Sequence, residues 1–260
     1  MSIEASARVN LDGTRFDRIT EDEVVTVVRD ALAGGRGGRI MTPNVDILRQ
    51  AQVDAGVQAY LRDADLVVAD GMPLVWASRL SGTPLPGRVA GSNLVWSLSA
   101  GLGNDHRSVF VIGGTPARAD LADGATRAAA RLAAASPGLR IAGTACPPHG
   151  FDRDVERFAA LRRQVTAADP DMVYVGLGFP KQEQVITRLR EHLPRAWYLG
   201  CGAAVNFVAG DVHRAPRWMQ RTGLEWAHRL GTEPQRLAGR YLRHDAPYAL
   251  RLLASCATRR

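Results

Sequence analysis

Long apolar runs are missing from this 260-residue sequence. No stretch approaches the ~20 residues needed to cross a bilayer as a helix, so a membrane-spanning segment is not expected. The opening residues, MSIEASARVNLDG, lack the charged-then-apolar pattern of a secretory signal. Cysteine is scarce: Cys146, Cys201 and Cys256 stand far apart, with no CxxC pair and no metal-ligand spacing. That argues against a disulfide scaffold or a structural zinc site, and for free thiols in a reducing cytosol. Lysine is nearly absent, Lys181 being the single one among 33 basic residues. There is no internal repeat, no low-complexity tract, no dinucleotide fingerprint and no P-loop.

What is present is charge, unevenly placed. The formal net charge is +7, yet residues 211–260 hold ten arginines against four acidic residues, which leaves the rest of the chain close to neutral. In this stretch arginine alternates with aromatics: Arg214, Arg217, Trp218, Arg221, Trp226, Arg229, Arg236, Arg240, Tyr241. Arg214, Arg217 and Arg221 recur at three and four residues, so on a helix they share a face and could grip phosphates bidentately. Three readings compete. One is a solvated helical face. Another is a nucleic-acid patch, for which no recognised motif is present. The third, an interfacial segment with Arg for anionic headgroups and Trp, Tyr and Leu for the acyl boundary, fits the pattern best.

Up to about residue 210 short β-branched runs alternate with helical spacing. Arg39–Met41, Asp65–Ala69, Val109–Ile112, Leu139–Gly143, Met172–Gly176 and Ala196–Leu199 read as strands. Thr20-Glu21-Asp22-Glu23 is a capping box opening a helix that Gly34-Gly35 closes. Helices are expected over residues 44–52, 72–80, 92–102, up to 135, 152–168 and 181–193. This pattern predicts an α/β fold, a Rossmann-like, doubly wound parallel sheet flanked by helices. Beyond it the spacing is helical only. The expected division is an α/β domain over 1–210 and a helical basic appendage over 211–260.

Polar and glycine signals fall on strand-to-helix turns: Thr42 and Asn44, Asp70, Gly113-Gly114-Thr115, and Gly176 and Gly178 with Gln182. In a parallel sheet these turns converge on one rim, where helix N-termini suit a diphosphate. Asp70 ends a strand and opens a helix. By position it reads as an N-cap or as a carboxylate able to take a proton from a substrate hydroxyl. Arg88, in a Pro- and Gly-rich loop, offers a forked cation to anionic oxygens. Two Asp-x-Asp pairs could suggest a divalent cation. Asp63/Asp65 precedes its strand, at the wrong edge, and Asp152/Asp154 opens a helix where acids favour the dipole. Neither is expected to hold metal.

The segments Thr42-Pro43-Asn44-Val45-Asp46, Ala69-Asp70-Gly71-Met72-Pro73-Leu74-Val75-Trp76, Arg88-Val89-Ala90-Gly91-Ser92, Gly176 to Glu183 and Arg214-Ala215-Pro216-Arg217-Trp218-Met219-Gln220-Arg221 stand in the order and spacing of one family. In them the chain resembles the WecG/TagA/CpsF glycosyltransferases over residues 8–243. The resemblance implies an inverting transferase that needs no metal or other cofactor. It would move an N-acetylmannosamine-type sugar from a UDP donor to a sugar on undecaprenyl diphosphate, peripherally at the inner, cytoplasmic face of a bacterial membrane. The product would feed cell-surface polysaccharide or teichoic acid synthesis. Carried over by motif, Asp70 becomes the general base. Thr42, Asn44 and Gln182 position substrates, Arg88 contacts anionic or polar groups, and Arg214, Arg217 and Arg221 close over the diphosphate from an appendage that also docks on anionic membrane. No nucleic acid is implied, and a homo-oligomer would bear on access to the site. Asn93 and Asn206 stand where the family usually has aspartate, which bears on donor preference. The alternatives are the same reaction with UDP-glucose or UDP-glucuronic acid, or a non-catalytic UDP-sugar-binding scaffold subunit.

Overall fold

The computed structural model describes residues 8–258 apart from residue 233, and only the backbone of 217, 221, 222, 229 and 236. Six parallel strands form the central sheet: β3 (Gly38–Met41), β4 (Leu66–Val67), β5 (Ser108–Gly113), β6 (Arg140–Ala145), β7 (Met172–Gly176) and β8 (Trp197–Gly200), in the order β4-β3-β8-β7-β5-β6. The strand reading holds, and so does the Rossmann-like class. An antiparallel hairpin, β1 (Arg8–Leu11) and β2 (Thr14–Asp17), precedes it.

Alternation along each strand feeds two faces. Val109, Val111, Met172, Tyr174, Trp197 and Leu199 point to the face covered by α1 (Glu21–Ala33), α5 (Gly91–Asn104), α6 (Gly124–Ala135) and α9 (Ala204–Ala209). Phe110, Ile112, Val173, Val175 and Tyr198 point to the other, beneath α7 (Val155–Ala168) and α8 (Lys181–Arg190). The same second face continues over β3 and β4, where Met41, Val67 and Ala69 meet the hairpin, α2 (Val45–Ala51), α3 (Ala55–Asp63) and α4 (Met72–Leu80). On α5, Leu94, Leu98 and Leu102 recur every fourth residue and are wholly buried, each worth roughly 1.5–3 kcal/mol of transfer.

Thr20 caps α1 by the expected box, its hydroxyl accepting from Glu23 N–H while Glu23 returns a carboxylate to the Thr20 N–H at 2.7 Å. Helix α3 has no counterpart in the sequence reading. Asp54 caps it, but Gly56 stands in its first turn and Val57 is its only buried residue, so the apolar period is too faint to read. The strand expected over 65–69 pairs as β4 only over Leu66–Val67, although Val68 N–H still donates to Met41 and Asp70 N–H to Pro43.

After α9 the chain is helical: α10 (Arg217–Thr222), α11 (Glu225–Thr232), α12 (Pro234–Arg240), a π-helical turn (Tyr241–Asp245) and α13 (Ala246–Thr258). The last of these returns to the core. Tyr248, Leu252 and Cys256 are buried in one cluster with Leu11, Phe16, Leu74 and Ala77, and the Tyr248 hydroxyl donates to Asp12 in the hairpin turn at 2.7 Å. No helix among the described residues is long and apolar enough to cross a membrane.

Candidate active site

The carboxyl ends of β3, β4 and β8 meet at one point. Gly91, first residue of α5, lies so close to Thr42 and Cys201 that a Cβ there would sit 3.1 Å from Thr42 Oγ1 and 3.7 Å from Cys201 Cα. A side chain there would require Thr42 to give way by a few tenths of an ångström. Helix α5 has no side-chain cap, and the Gly91 N–H is turned to the Asp70 carboxylate. Asp70 itself does not cap α4, whose N-cap is Gly71 with no side-chain bond. Of the two roles its position allowed, the capping one is therefore not realised on the helix that follows it.

Asp70 keeps some contact with solvent, but dense protein around it pushes its pKa up to about 6, burial being the main cause. Arg88 opposes the rise, the Glu225 carboxylate adds to it, and Arg214 and the Gly91 N–H also oppose it. These three charged partners form one knot. Arg88 Nη1 donates to Glu225 Oε2 at 3.0 Å and Arg214 Nε to Glu225 Oε1 at 3.1 Å, while Arg214 Nη1 reaches Asn93 Oδ1 at 2.6 Å. Asn93 also donates to Glu21 at 3.3 Å. An aspartate there would keep the Arg214 contact but face the Glu21 carboxylate. Glu225 itself is held below the usual carboxylate range: its burial opposes this, and hydrogen bonds and charge from Arg214 and Arg88 overcome it. Sequence reasoning missed Glu225, because nothing local marks a residue whose partners lie 11 and 137 positions away.

Asn44 stands two residues past Thr42, and its Oδ1 accepts from the Ile47 N–H at 3.0 Å as the N-cap of α2. Gln182 is buried. Its Oε1 accepts from Gly202 N–H at 2.9 Å and its Nε2 donates to Glu183 Oε1 at 2.9 Å, so it braces the turn after β8 from beneath the rim. Glu183 in turn holds Arg39, a wholly enclosed arginine on β3, through Nε at 3.2 Å and Nη2 at 2.5 Å. Arg39 also donates to Asp63 at 3.0 Å and Thr187 at 3.3 Å. The structure thus brings Thr42, Asn44, Asp70, Arg88 and Arg214 to one rim, with Gln182 just below it. Arg217 and Arg221 stand on α10, and their side chains lie outside the described residues.

The other turns are occupied by protein. Thr115 donates to Asp211 at 2.7 Å, and Arg127 clamps both. Asp63 and Asp65 pair with Arg39 or Arg190, Asp152 pairs with Lys181, and Asp154 caps α7. The three cysteines are free thiols. At the back of the rim, Asp46 on α2 meets Arg49 at 2.6 Å and Arg240 at 3.8 Å, and Arg240 meets Asp245 at 3.4 Å. That cluster ties Arg240 and Asp245 to the helix Asn44 caps.

An open parallel sheet with polar and charged side chains gathered at its carboxyl rim has the layout of α/β proteins that take their ligands at that edge. Residues 9–260 match the model of the glycosyl transferase WecG/TagA/CpsF family. A protein of Bacillus spizizenii named N-acetylglucosaminyldiphosphoundecaprenol N-acetyl-beta-D-mannosaminyltransferase is 34% identical over 201 residues, 77% of this chain and 74% of the relative. A Bacillus subtilis protein of the same name is 32% identical over 200 residues, 77% of this chain and 73% of the relative. The chain belongs to the WecG/TagA/CpsF family and is a glycosyltransferase.

Proposed function

We propose that the protein transfers an N-acetylmannosamine-type sugar from a UDP donor, with inversion and without a metal ion, to a sugar on undecaprenyl diphosphate. Asp70 takes the proton of the acceptor hydroxyl as its oxygen attacks the anomeric carbon. The bond from that carbon to the β-phosphate oxygen breaks, its electron pair leaves with UDP, and attack from the opposite side inverts the centre. A base with a pKa of about 6 is mostly ionised at neutral pH yet more basic than an ordinary aspartate. Arg88 and Arg214 offset the charge that develops on the diphosphate, which competes with Glu225 for their forked donors. Arg217 and Arg221 join them from α10. Thr42 and Asn44 position the sugars, and Gln182 acts by bracing the turn that carries Cys201.

The appendage, residues 211–260 in this reading, closes the site and docks on anionic membrane, with exposed Trp218 and Trp226 among its arginines. The protein then works peripherally at the cytoplasmic face, as an acceptor held in the membrane requires. The observation that carries the proposal is Asp70 at the rim, enclosed enough for its pKa to rise and flanked by two arginines. The test is UDP release in EDTA with a polyprenyl-diphosphate-linked N-acetylglucosamine acceptor and a panel of UDP-sugars. Release with UDP-N-acetylmannosamine that needs acceptor and is lost in Asp70→Asn supports it. Release with UDP-glucose or UDP-glucuronic acid instead would revise the donor, and UDP binding without any release would favour a scaffold.

A further inference from the structure

Glu225 is a carboxylate set between two arginines that face an anionic ligand. It opens α11, where an acid favours the helix dipole. A dipole partner can stay in water, however, and the Glu225 side chain is only 15% exposed. It reaches the rim because the α10–α11 turn fits closely on the body of the protein. Gly223 ends α10 with φ +79°, and a Cβ on it would lie 2.5 Å from Met72 Cγ. With no side chain there, the turn lies against the first residue of α4, and Glu225 follows two positions later.

Its two oxygens are divided between two parts of the chain. Oε2 accepts from Nη1 of Arg88, in the loop between α4 and α5, at 3.0 Å. Oε1 accepts from Arg214 Nε at 3.1 Å, and Arg214 Nη2 lies 3.4 Å from Oε2. All three side chains are less than a fifth exposed. Two oxygens shared between guanidinium forks is also how the same donors would hold a phosphate. Among the described residues Arg88 has no hydrogen-bond acceptor besides Glu225. Arg214 has a second one, Asn93 Oδ1 at 2.6 Å, a neutral amide that keeps it aimed when its carboxylate partner leaves. With Asp70 included, two carboxylates stand against two guanidiniums, and the knot carries no net charge. A diphosphate that meets it finds no excess cation until Glu225 yields.

We propose that Glu225 holds the place of the donor's diphosphate in the empty site, surrenders Arg88 and Arg214 to it on binding, and reclaims them as UDP leaves. This rests on the UDP donor proposed above. Without a counter-ion the two largely enclosed arginines would stand unpaired beside Asp70. Glu225 neutralises them from within the chain, and the donor then binds by exchange, one anion for another on the same cations. Run backwards, the exchange helps UDP depart, because a carboxylate is at hand to take its partners. A purely fastening role makes the opposite prediction: if Glu225 served to aim the arginines at the diphosphate, its loss would weaken UDP binding.

The experiment is calorimetric titration of the full chain with UDP in EDTA, for wild type, Glu225→Gln and Glu225→Ala. Glu21→Gln is the control, since it removes a carboxylate near Asn93 that pairs with neither arginine. Both Glu225 variants are expected to lower the Kd for UDP about tenfold, the equivalent of ~1.4 kcal/mol, while Glu21→Gln stays near wild type. In an Arg88→Gln background the gain from Glu225→Gln should shrink, because one of the two released cations is gone. Unchanged or weaker UDP binding in either Glu225 variant would overturn the exchange and leave Glu225 a fastening of the appendage. An equal gain in Glu21→Gln, which marks a general field, would overturn it too, as would an undiminished gain in the Arg88→Gln background. Wild type that binds UDP shows that the donor reading stands whichever way the variants fall, and wild type that does not bind it would overturn that reading and the exchange together.

Discussion

Replacing Glu183 by Gln should destabilise the protein more than any single change at the exposed surface. The side chain of Arg39 has no exposure and that of Glu183 is 2% exposed, and two of the guanidinium donors end on one Glu183 oxygen. The remaining counter-charge, Asp63, is 55% exposed and shared with Arg190, so it cannot replace an enclosed carboxylate. Leaving one member of a buried pair alone costs about 3–5 kcal/mol. Domains of this kind have total stabilities of only ~5–15 kcal/mol. At roughly 2–4 °C per kcal/mol the melting temperature should fall by about 6–20 °C. Exchanging both partners for apolar residues, Arg39→Met with Glu183→Leu, removes the stranded charge and should regain most of that loss. Chemical denaturation of Arg39→Met, Glu183→Leu and the double closes the cycle. A Glu183→Gln cost under about 1 kcal/mol, or a double variant as unstable as the sum of the singles, would refute the argument. The double variant also separates fold from function, because Gln182 loses the Glu183 acceptor that helps orient its amide. Restored stability with lowered turnover would place the network's main effect at the Gly202 turn.

Three further outcomes follow from the site. The acid limb of kcat/KM should fall near pH 6, set by Asp70, and Glu225→Gln should move it to lower pH, since it removes a carboxylate that raises Asp70 and frees Arg88 and Arg214 to lower it; a limb that stays or rises refutes the coupling. Asp245 is pushed up to about 6, chiefly by burial and next by the Asp46 carboxylate, with Arg240 and Arg49 opposing. Its folded pKa lies above the unfolded one, so the folded state gains stability as pH falls from about 6 toward about 4 and bears a cost above that window. Asp245→Asn should therefore raise the melting temperature in mild alkali and leave it nearly unchanged in acid, as thermal melts across pH would show. Gly200→Ala would set a Cβ 2.5 Å from Gln182 Nε2 and against Glu183; overpacking of this kind costs about 1–3 kcal/mol, and an unchanged denaturation midpoint would count against the close approach.

The sheet was legible because the central strands are short apolar runs, several of them β-branched, with glycine or proline close behind, and because the helices between carry caps such as Thr20 and Asp154. Helix α3 was not, since Gly56 and a lone buried Val57 leave no period to detect. The rim was legible in the polar turns at Thr42, Asn44 and Asp70, whose placement follows from strand direction, whereas Arg88 stood out only as a cation in a loop. What sequence could not supply were the pairings across the fold. Arg39 sits in an apolar strand, 144 residues from Glu183, and Glu225 reaches Arg88 over a similar gap. Charges meet there through tertiary packing, for which no local spacing is a sign. Gln182 was expected on the rim, but it is buried just below it and its amide oxygen accepts from the chain's own backbone at Gly202.

The return of α13 to the core changes what kind of object the basic segment is. With α9 buried on one face of the sheet and α13 on the other, residues 211–245 form a strap fastened at both ends rather than a free tail. Its reach is fixed by two anchors, and Arg214 and Glu225 within it meet Arg88 and Asn93 at the rim. Cutting the chain at residue 210 would therefore do two things at once, taking Arg214 and Glu225 from the rim and stripping Tyr248, Leu252 and Cys256 from their contacts with Leu11, Phe16 and Leu74. Replacing the strap with a flexible bridge that still delivers α13 would separate the loss of the rim contacts from the loss of the core's.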